Sequence, residues 1–242
     1  MKKYLILIVL FLSLTGCEFL EETFSNNTVP MASINAISQN VIKSNIEITV
    51  KPYTLNYLSQ KVYSDHFISG SGVVYAIKNE DIYLLTNRHV VIPNGGSNYD
   101  YLIQTVNGTE VEARYIYSSD IYDLAILAFT KTDTLAEEVA KIRFASENEI
   151  LGGVVYAVGS PFGMNNILTV GKVYKYSNID EVDFQIVLHT APINTGNSGG
   201  MLINKDYYLV GINTWNVTVN GTSYSGATPI LEVLEFLESA PK

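Results

Sequence analysis

Cysteine and histidine are scarce in this chain of 242 residues. Cys17 is the single cysteine, so no disulfide can form within the chain and no cysteine-based metal site is expected. His66, His89 and His189 are scattered and lack the short spacing of a metal-binding pair. The sequence therefore predicts neither a metal centre nor another bound cofactor.

Basic residues are also few, with 15 Lys and Arg against 24 Asp and Glu and a formal net charge of −9. Residues 1–16 contain two of the lysines and no acid, so the rest of the chain is more acidic still. Such a surface repels phosphate backbones, and nucleic-acid binding is not expected. Because anionic lipids repel it as well, membrane attachment would need another source of affinity.

No apolar run is long enough to cross a membrane as a helix, which needs roughly 20 residues. The run Tyr4–Leu14 is about half that length, follows Lys2 and Lys3, and is succeeded by Thr15 and Gly16. A basic start, a short apolar centre and small residues at the end are typical of an export signal.

The segment Leu14-Thr15-Gly16-Cys17 resembles the bacterial lipobox, in which the cysteine is lipidated and becomes the mature N-terminus. The resemblance implies that residues 1–16 are a lipoprotein signal peptide and that Cys17 carries a membrane anchor on the extracytoplasmic side. Each buried CH₂ of such an anchor contributes about 0.8 kcal/mol. Residues 17–40 are polar and aperiodic, and we expect a tether there. The alternative is a cleaved secretory signal with an incidental cysteine.

Long amphipathic helices are also rare in the remaining residues, 41–242. Short apolar stretches alternate there with turn residues, which predicts an all-β protein. The candidate strands are Ile46–Val50, Gly72–Ile77, Ile82–Leu85, Tyr99–Val106, Val111–Tyr117, Leu124–Phe129, Val154–Val158, Ile167–Tyr176, Phe184–Leu188 and Tyr207–Ile212.

Turn residues and one charged segment divide these strands. Asn107-Gly108 and Asn220-Gly221 are typical of tight hairpins. The charged segment Lys131–Ile150 separates the strands into two groups, which favours two small barrels at about 41–130 and 150–228. Apolar residues recur at helical spacing after Pro229, which predicts a C-terminal helix at about 229–239.

Three local features carry residues suited to nucleophilic catalysis. His89 follows an apolar strand, Asp123 precedes another, and Ser198 lies in the glycine-rich turn Asn194–Gly200. A serine hydroxyl needs a base to remove its proton during attack, and a carboxylate can orient the histidine that does so. The glycines permit a tight turn, in which the N–H groups of Gly196 and Ser198 would form an oxyanion hole. An alternative orienting carboxylate is Asp120.

Together these features resemble the trypsin-like superfamily, and specifically the HtrA/DegP type. The match extends to segments Ser69–Val74, Gly159–Gly163, Thr190–Asn194 and Leu209–Thr214, and covers about residues 40–237. The resemblance implies two six-stranded antiparallel β-barrels of the chymotrypsin-like fold and peptide-bond hydrolysis. It also implies that His89 is the general base, Asp123 its orienting group and Ser198 the nucleophile.

The sequence departs from the family in several places. Proline often stands where Thr195 is, an Asp is usual near Ala191, and Arg88 is less usual beside the histidine. We expect these differences to affect activation or the order of the loop. No PDZ domain is expected after the barrels, and homo-oligomers, commonly trimers, are known in the family.

The substrate pocket is predicted to be lined by uncharged residues: Ile193, Asn213, Thr214, Trp215 and Ala227. We therefore expect no strong preference for a charged side chain at the P1 position of the substrate. Trp215 either narrows the mouth of the pocket or packs away from it. His189 either contacts substrate or is a structural histidine.

Two other classes of function were weighed. An α/β-hydrolase needs a histidine after its serine, and none follows Ser198, which excludes that class. A surface lipoprotein that uses the fold as a binding module, catalytically inactive or latent, is the alternative to a protease. The sequence favours an endopeptidase acting on proteins or peptides, including unfolded or damaged exported proteins.

Overall fold

A computed structural model of the chain describes residues 41–93, 98–146, 151–160 and 166–241. The predicted signal peptide, Cys17 and the tether lie outside the described residues, as does part of the segment Gly159–Gly163. None of the helices in the described ranges has the length and apolar character that crossing a bilayer requires.

The first barrel closes through pairing between its first and fifth strands. Strand order around it is β1-β3-β4-β7-β6-β5, and β5 pairs with β1 to complete the ring, while β2 extends β1 as a hairpin outside it. The strands are β1 (Asn45–Leu55), β2 (Lys61–Tyr63), β3 (Ile68–Lys78), β4 (Asp81–Asn87), β5 (Asn98–Gln104), β6 (Glu110–Ser119) and β7 (Leu124–Thr130).

The interior of this barrel follows from two-residue alternation along each strand. In β1, Ile46, Ile48 and Val50 are fully buried, while Glu47 and Thr49 between them are more exposed. Successive side chains of a strand point to opposite faces, so one face of β1 fills the barrel. Together with β4 and β7 it forms one continuous apolar core.

The second barrel has the same architecture, with strand order β9-β10-β11-β14-β13-β12 closed by β12 against β9. A short strand, β8 (Arg143–Phe144), runs parallel to the start of β13. The six barrel strands are β9 (Val154–Gly159), β10 (Ile167–Ile179), β11 (Val182–His189), β12 (Met201–Asn204), β13 (Tyr208–Val219) and β14 (Thr222–Pro229). The predicted pair of six-stranded antiparallel barrels is confirmed.

Tight turns form where the sequence predicts them. Asn220 and Gly221 connect β13 to β14 with φ values of 50° and 79°. Positive φ at both central residues is the geometry of a type I′ turn, which Asn-Gly adopts at low cost. Gly108, between β5 and β6, also has a positive φ of 86°.

The described residues also form three short α-helices: α1 (Arg88–Val91), α2 (Asp133–Glu138) and α3 (Ile230–Ser239). The Thr132 hydroxyl caps α2 by accepting a hydrogen bond from Leu135 N. Pro229 precedes α3 as its N-cap, and the predicted C-terminal helix is confirmed.

Helix α3 packs its buried face against the first barrel. Phe236 is fully buried, and its ring stacks on Tyr117 of β6 at a centroid distance of 5.6 Å. It also meets Tyr122, in the loop before β7, edge-on at 6.1 Å. The helix that follows the last strand of the second barrel thus joins the two barrels through aromatic contacts.

Replacing Phe236 by alanine should lower the free energy of unfolding by about 3–5 kcal/mol, because it leaves a cavity between the helix and β6. Chemical denaturation followed by circular dichroism measures this loss. The matched control is Leu231→Ala on the same helix, where the leucine is 42% exposed and the expected change is below about 1 kcal/mol. Equal effects of the two substitutions would contradict the packing described.

Candidate active site

His89 and Asp123 are neighbours because β4 and β7 are paired. In that register Asn87 is opposite Leu124, so the residues after β4 lie beside those before β7. The Nδ1 atom of His89 is 2.6 Å from Oδ2 of Asp123, and the other carboxylate oxygen accepts a hydrogen bond from His89 N at 3.0 Å. The carboxylate thereby fixes the position of both the ring and the backbone of the histidine.

Hydrogen bonds also fix the backbone of Asp123. Its φ is 48°, in the left-handed region, which costs a non-glycine residue energy. Its carbonyl oxygen accepts hydrogen bonds from Arg88 N at 3.0 Å and from Asn87 Nδ2 at 2.9 Å. Asp120, the alternative orienting residue, instead pairs with Arg88 at 2.8 Å.

Ser198 lies in a turn whose geometry depends on glycine. Asn197 N donates to Asn194 O at 2.9 Å, and Gly196 has a φ of 98°. This is the pattern of a type II β-turn, which needs positive φ at its third residue. The next turn follows at once, because Gly200 N donates to Asn197 O at 2.9 Å.

Ser71 of β3 receives this turn in the first barrel. Its N–H donates to Ser198 O at 2.8 Å, and its hydroxyl donates to Gly196 O at 2.7 Å. The same hydroxyl accepts a hydrogen bond from Ser160 N at 2.8 Å. All three contacts are buried, so they hold the turn against the first barrel without competition from water.

Gly199 brings the turn into direct contact with β4. A Cβ atom at this position would overlap with Ser71 O and Thr86 Oγ1, and would lie 3.1 Å from Asn87 N. Its φ of 83° is also one that side chains disfavour. Since Asn87 is two residues before His89, this close approach places Ser198 beside the start of α1.

A second set of hydrogen bonds joins the barrels at the same level. Asn87 Nδ2 donates to Thr214 Oγ1 of β13 at 3.0 Å as well as to Asp123. Gly199 N donates to Asn213 O at 2.9 Å, which fixes β13 to the serine turn. Sequence reasoning missed the roles of Ser71 and Asn87, although both lie in segments that resemble the family.

Two N–H groups of this turn have no acceptor among the described residues. Asn197 N is used within the turn, but no group among the described residues accepts a hydrogen bond from Gly196 N or Ser198 N. Donors that point into a cleft without a protein partner can stabilise a developing negative charge. This arrangement is compatible with the predicted oxyanion hole.

Four of the five predicted pocket residues lie on β13 and β14, and Ile193 lies between β11 and β12. Asn213 is opposite Ala227 in the register, and both are fully buried. Ile193 packs in the same cluster as Ala227, whereas the Thr214 hydroxyl is bound to Asn87 and Ile212 O.

Trp215 covers Gly226, its neighbour on β14. A Cβ atom at Gly226 would lie only 3.2 Å from Trp215 Cβ, and the indole continues to Phe184, whose ring centroid is 6.5 Å away. Phe184 in turn stacks on Tyr122, beside Asp123, at 6.1 Å. Trp215 is therefore part of an aromatic row between the barrels.

His189 lies on the same face of β11 as Val187 and is fully buried. It is opposite Ser225 of β14. Burial lowers the pKa of its imidazole to about 4, and this outweighs the opposing effects of the Asn213 side chain and the Ala191 backbone. The ring is therefore neutral in the folded protein at neutral pH.

His189 should make the folded state sensitive to acid. Between about pH 6.5 and pH 4 the unfolded chain protonates this imidazole and the folded protein does not, so stability falls as the pH falls through that window. Lowering the pH from 7 to 4.5 should reduce the free energy of unfolding of the variant His189→Gln by about 2–3 kcal/mol less than that of wild type, as measured by urea denaturation at the two pH values. Identical pH dependence in both proteins would contradict a buried neutral imidazole.

The chain is similar to a family model and to several known proteins. The model of the trypsin-like peptidase domain matches residues 70–212. Serine protease Do-like HtrA of Bacillus subtilis is 33% identical over 159 residues, which cover 62% of this chain and 34% of that protein. A probable periplasmic serine protease do/HhoA-like of Haemophilus influenzae is 32% identical over 157 residues, covering 63% and 32%. This chain thus matches about a third of the length of these relatives.

Solved structures show the same relationship. The serine endoprotease from Yersinia pestis is 26% identical, with a TM-score of 0.64 and coverage of 87% of this chain and 67% of that one. A variant of the HtrA-type protease AlgW with a tripeptide is 25% identical, with a TM-score of 0.66 and coverage of 86% and 62%. The resemblance to the HtrA type is confirmed, and the chain belongs to the trypsin-like peptidase domain family.

Proposed function

We propose that this protein is an exported serine endopeptidase with Ser198 as nucleophile, His89 as general base and Asp123 as the group that orients the base. One observation carries the proposal. The 2.6 Å contact between His89 and Asp123 lies at the barrel junction where Gly199 packs against the end of β4. The side chain of His89 is 48% exposed, so substrate can reach it, while that of Asp123 is 20% exposed.

The proposed chemistry follows from these positions. Asp123 accepts a hydrogen bond from the Nδ1–H of His89, which leaves Nε2 free to take the proton of Ser198 during attack on a carbonyl carbon. The N–H groups of Gly196 and Ser198 stabilise the oxyanion of the tetrahedral intermediate. His89 then donates its proton to the leaving amine. In the second half of the reaction His89 takes a proton from water as the water attacks the acyl-enzyme, and returns that proton to Ser198 as the acid product leaves.

The proposed substrates are extended segments of proteins or peptides, including unfolded or damaged exported proteins. Among the described strands, β12 pairs with β13 only up to Ile212, and Asn213 is bonded to the serine turn, so the edge from Thr214 onwards has no strand on that side. An extended peptide can add to such an edge by main-chain hydrogen bonds. The uncharged pocket residues favour uncharged P1 side chains, with Ile193 and Ala227 as the apolar members.

Ser198→Ala should reduce hydrolysis of unfolded casein on the order of 10⁶-fold, because the nucleophile is lost while the fold remains. The matched control is Ser223→Ala, which removes an exposed hydroxyl from β14 and should leave the rate unchanged. Release of acid-soluble peptides measures both. Hydrolysis that persists in Ser198→Ala, or is absent in wild type, would favour a binding module or a latent enzyme instead.

A lipid on Cys17 is proposed to hold the protein on the extracytoplasmic side of a membrane, and the similarity to a relative named as periplasmic supports export. Cys17→Ser should move the expressed protein from the membrane fraction to the soluble fraction and abolish incorporation of radiolabelled palmitate. Ser25→Ala, in the predicted tether, is the control and should change neither. Membrane retention of Cys17→Ser would contradict the anchor. A trimer stays a prediction from the resemblance.

A further inference from the structure

A groove unrelated to the candidate active site lies beside the segment that connects the two barrels. Its cavity volume is about 620 Å³, within the usual range of small-molecule sites. Six of its lining residues carry the inference: Lys78, Lys141, Arg143, Tyr75, Phe144 and Tyr208. Lys78 is seven residues along β3 from Ser71, a distance of about 23 Å at 3.3 Å per residue.

Three cations converge on this groove without carboxylate partners. Among the described residues, Lys78, Lys141 and Arg143 form no ion pair, although acids outnumber bases in the chain. Asp81 is opposite Lys78 in the β3–β4 register, but its carboxylate is bound to Arg114. An anion in the groove would be attracted to all three of these charges.

Aromatic side chains form the other part of the lining. The guanidinium carbon of Arg143 lies 4.6 Å from the centroid of the Tyr208 ring, which holds the planar cation in a fixed orientation. Tyr75 packs against Tyr83 at 6.2 Å, and burial raises the pKa of its hydroxyl to about 12, so the group remains a hydrogen-bond donor. These rings provide flat apolar surfaces next to the three charges.

Backbone hydrogen bonds keep the groove in shape. Ile142 N donates to Val74 O at 2.9 Å, which fixes the connecting segment to β3. Arg143 and Phe144 form strand β8, which pairs with Tyr208 and Leu209 of β13. Since both sides are anchored in this way, a ligand would meet a preformed site and little ordering would be needed.

We propose that this groove binds a small organic anion in which a phosphate or carboxylate is attached to a flat apolar group. Arg143 and Lys141 bind the anionic group, since a guanidinium fork matches both phosphate and carboxylate oxygens. Lys78 adds to the positive potential, while Tyr208, Phe144 and Tyr75 contact the flat group. The site needs neither Ser198 nor His89, so it is independent of the proposed peptidase.

Isothermal titration calorimetry of the full chain tests the proposal with phenyl phosphate and benzoate as probes. Inorganic phosphate and phenol are the half-probes, and each should bind at least tenfold more weakly than phenyl phosphate. Comparison of phenyl phosphate with benzoate identifies which anionic group is preferred. If neither phenyl phosphate nor benzoate shows saturable binding, the proposal is overturned.

The double variant Lys141→Ala/Arg143→Ala should bind the preferred probe at least tenfold more weakly than wild type does. Its matched control is Lys172→Ala/Lys175→Ala on β10, which removes two lysines that form no ion pair within the described ranges, one of them also above a tyrosine ring. The control should bind as wild type does, and thermal melts should show that both variants are folded. Equal affinities of the two double variants would overturn the assignment of the groove.

Tyr208→Leu separates the aromatic contribution from the charge. This variant should weaken the binding of phenyl phosphate at least threefold more than the binding of inorganic phosphate, because the flat group loses its contact in addition to any change at Arg143. An equal loss for both ligands would contradict stacking in the groove.

Discussion

The contact of the serine turn with the first barrel determines where Ser198 lies relative to the other proposed catalytic groups. Ser71 binds the carbonyl groups of Gly196 and Ser198, and Gly199 fits against β4 because it has no Cβ. His89 and Asp123 are positioned by the first barrel alone, through the β4–β7 register. This junction places the serine turn of the second barrel against the end of β4, so the proposed site depends on a glycine and a buried serine with no chemical role.

The junction consists largely of buried hydrogen bonds, so removing a partner costs more free energy of unfolding than the bond itself contributes. A buried hydrogen bond contributes only about 1 kcal/mol net, but removing one partner leaves the other unsatisfied at a cost of about 1–3 kcal/mol. Asn87 illustrates the point, since its amide bonds both Asp123 and Thr214. Loss of this side chain would affect the left-handed backbone at Asp123 and the contact with β13 together. The aromatic packing of Phe236 on Tyr117 adds an apolar connection between the barrels.

Much of the fold could be predicted from local sequence patterns, because alternation in strands such as Ile46–Val50 and the turn residues Asn220-Gly221 act over short distances. The candidate residues His89, Asp123 and Ser198 are identified because their local motifs together resemble the trypsin-like family. The roles of Ser71 and Asn87 in joining the barrels were not found, since their partners across the junction lie more than a hundred residues away and no local pattern identifies them. The packing of Trp215 on Gly226 likewise depends on the pairing of two strands, which the sequence did not specify.

Labelling with a serine-directed fluorophosphonate, followed by mass spectrometry of the modified peptide, tests the central claim most directly. The reagent needs a nucleophilic hydroxyl, a base within reach and an oxyanion site, and these meet only if the junction is formed as described. We expect stoichiometric modification of Ser198 in the wild-type chain and none in His89→Ala. A label on another serine, or equal labelling of Ser198 without His89, would contradict the account.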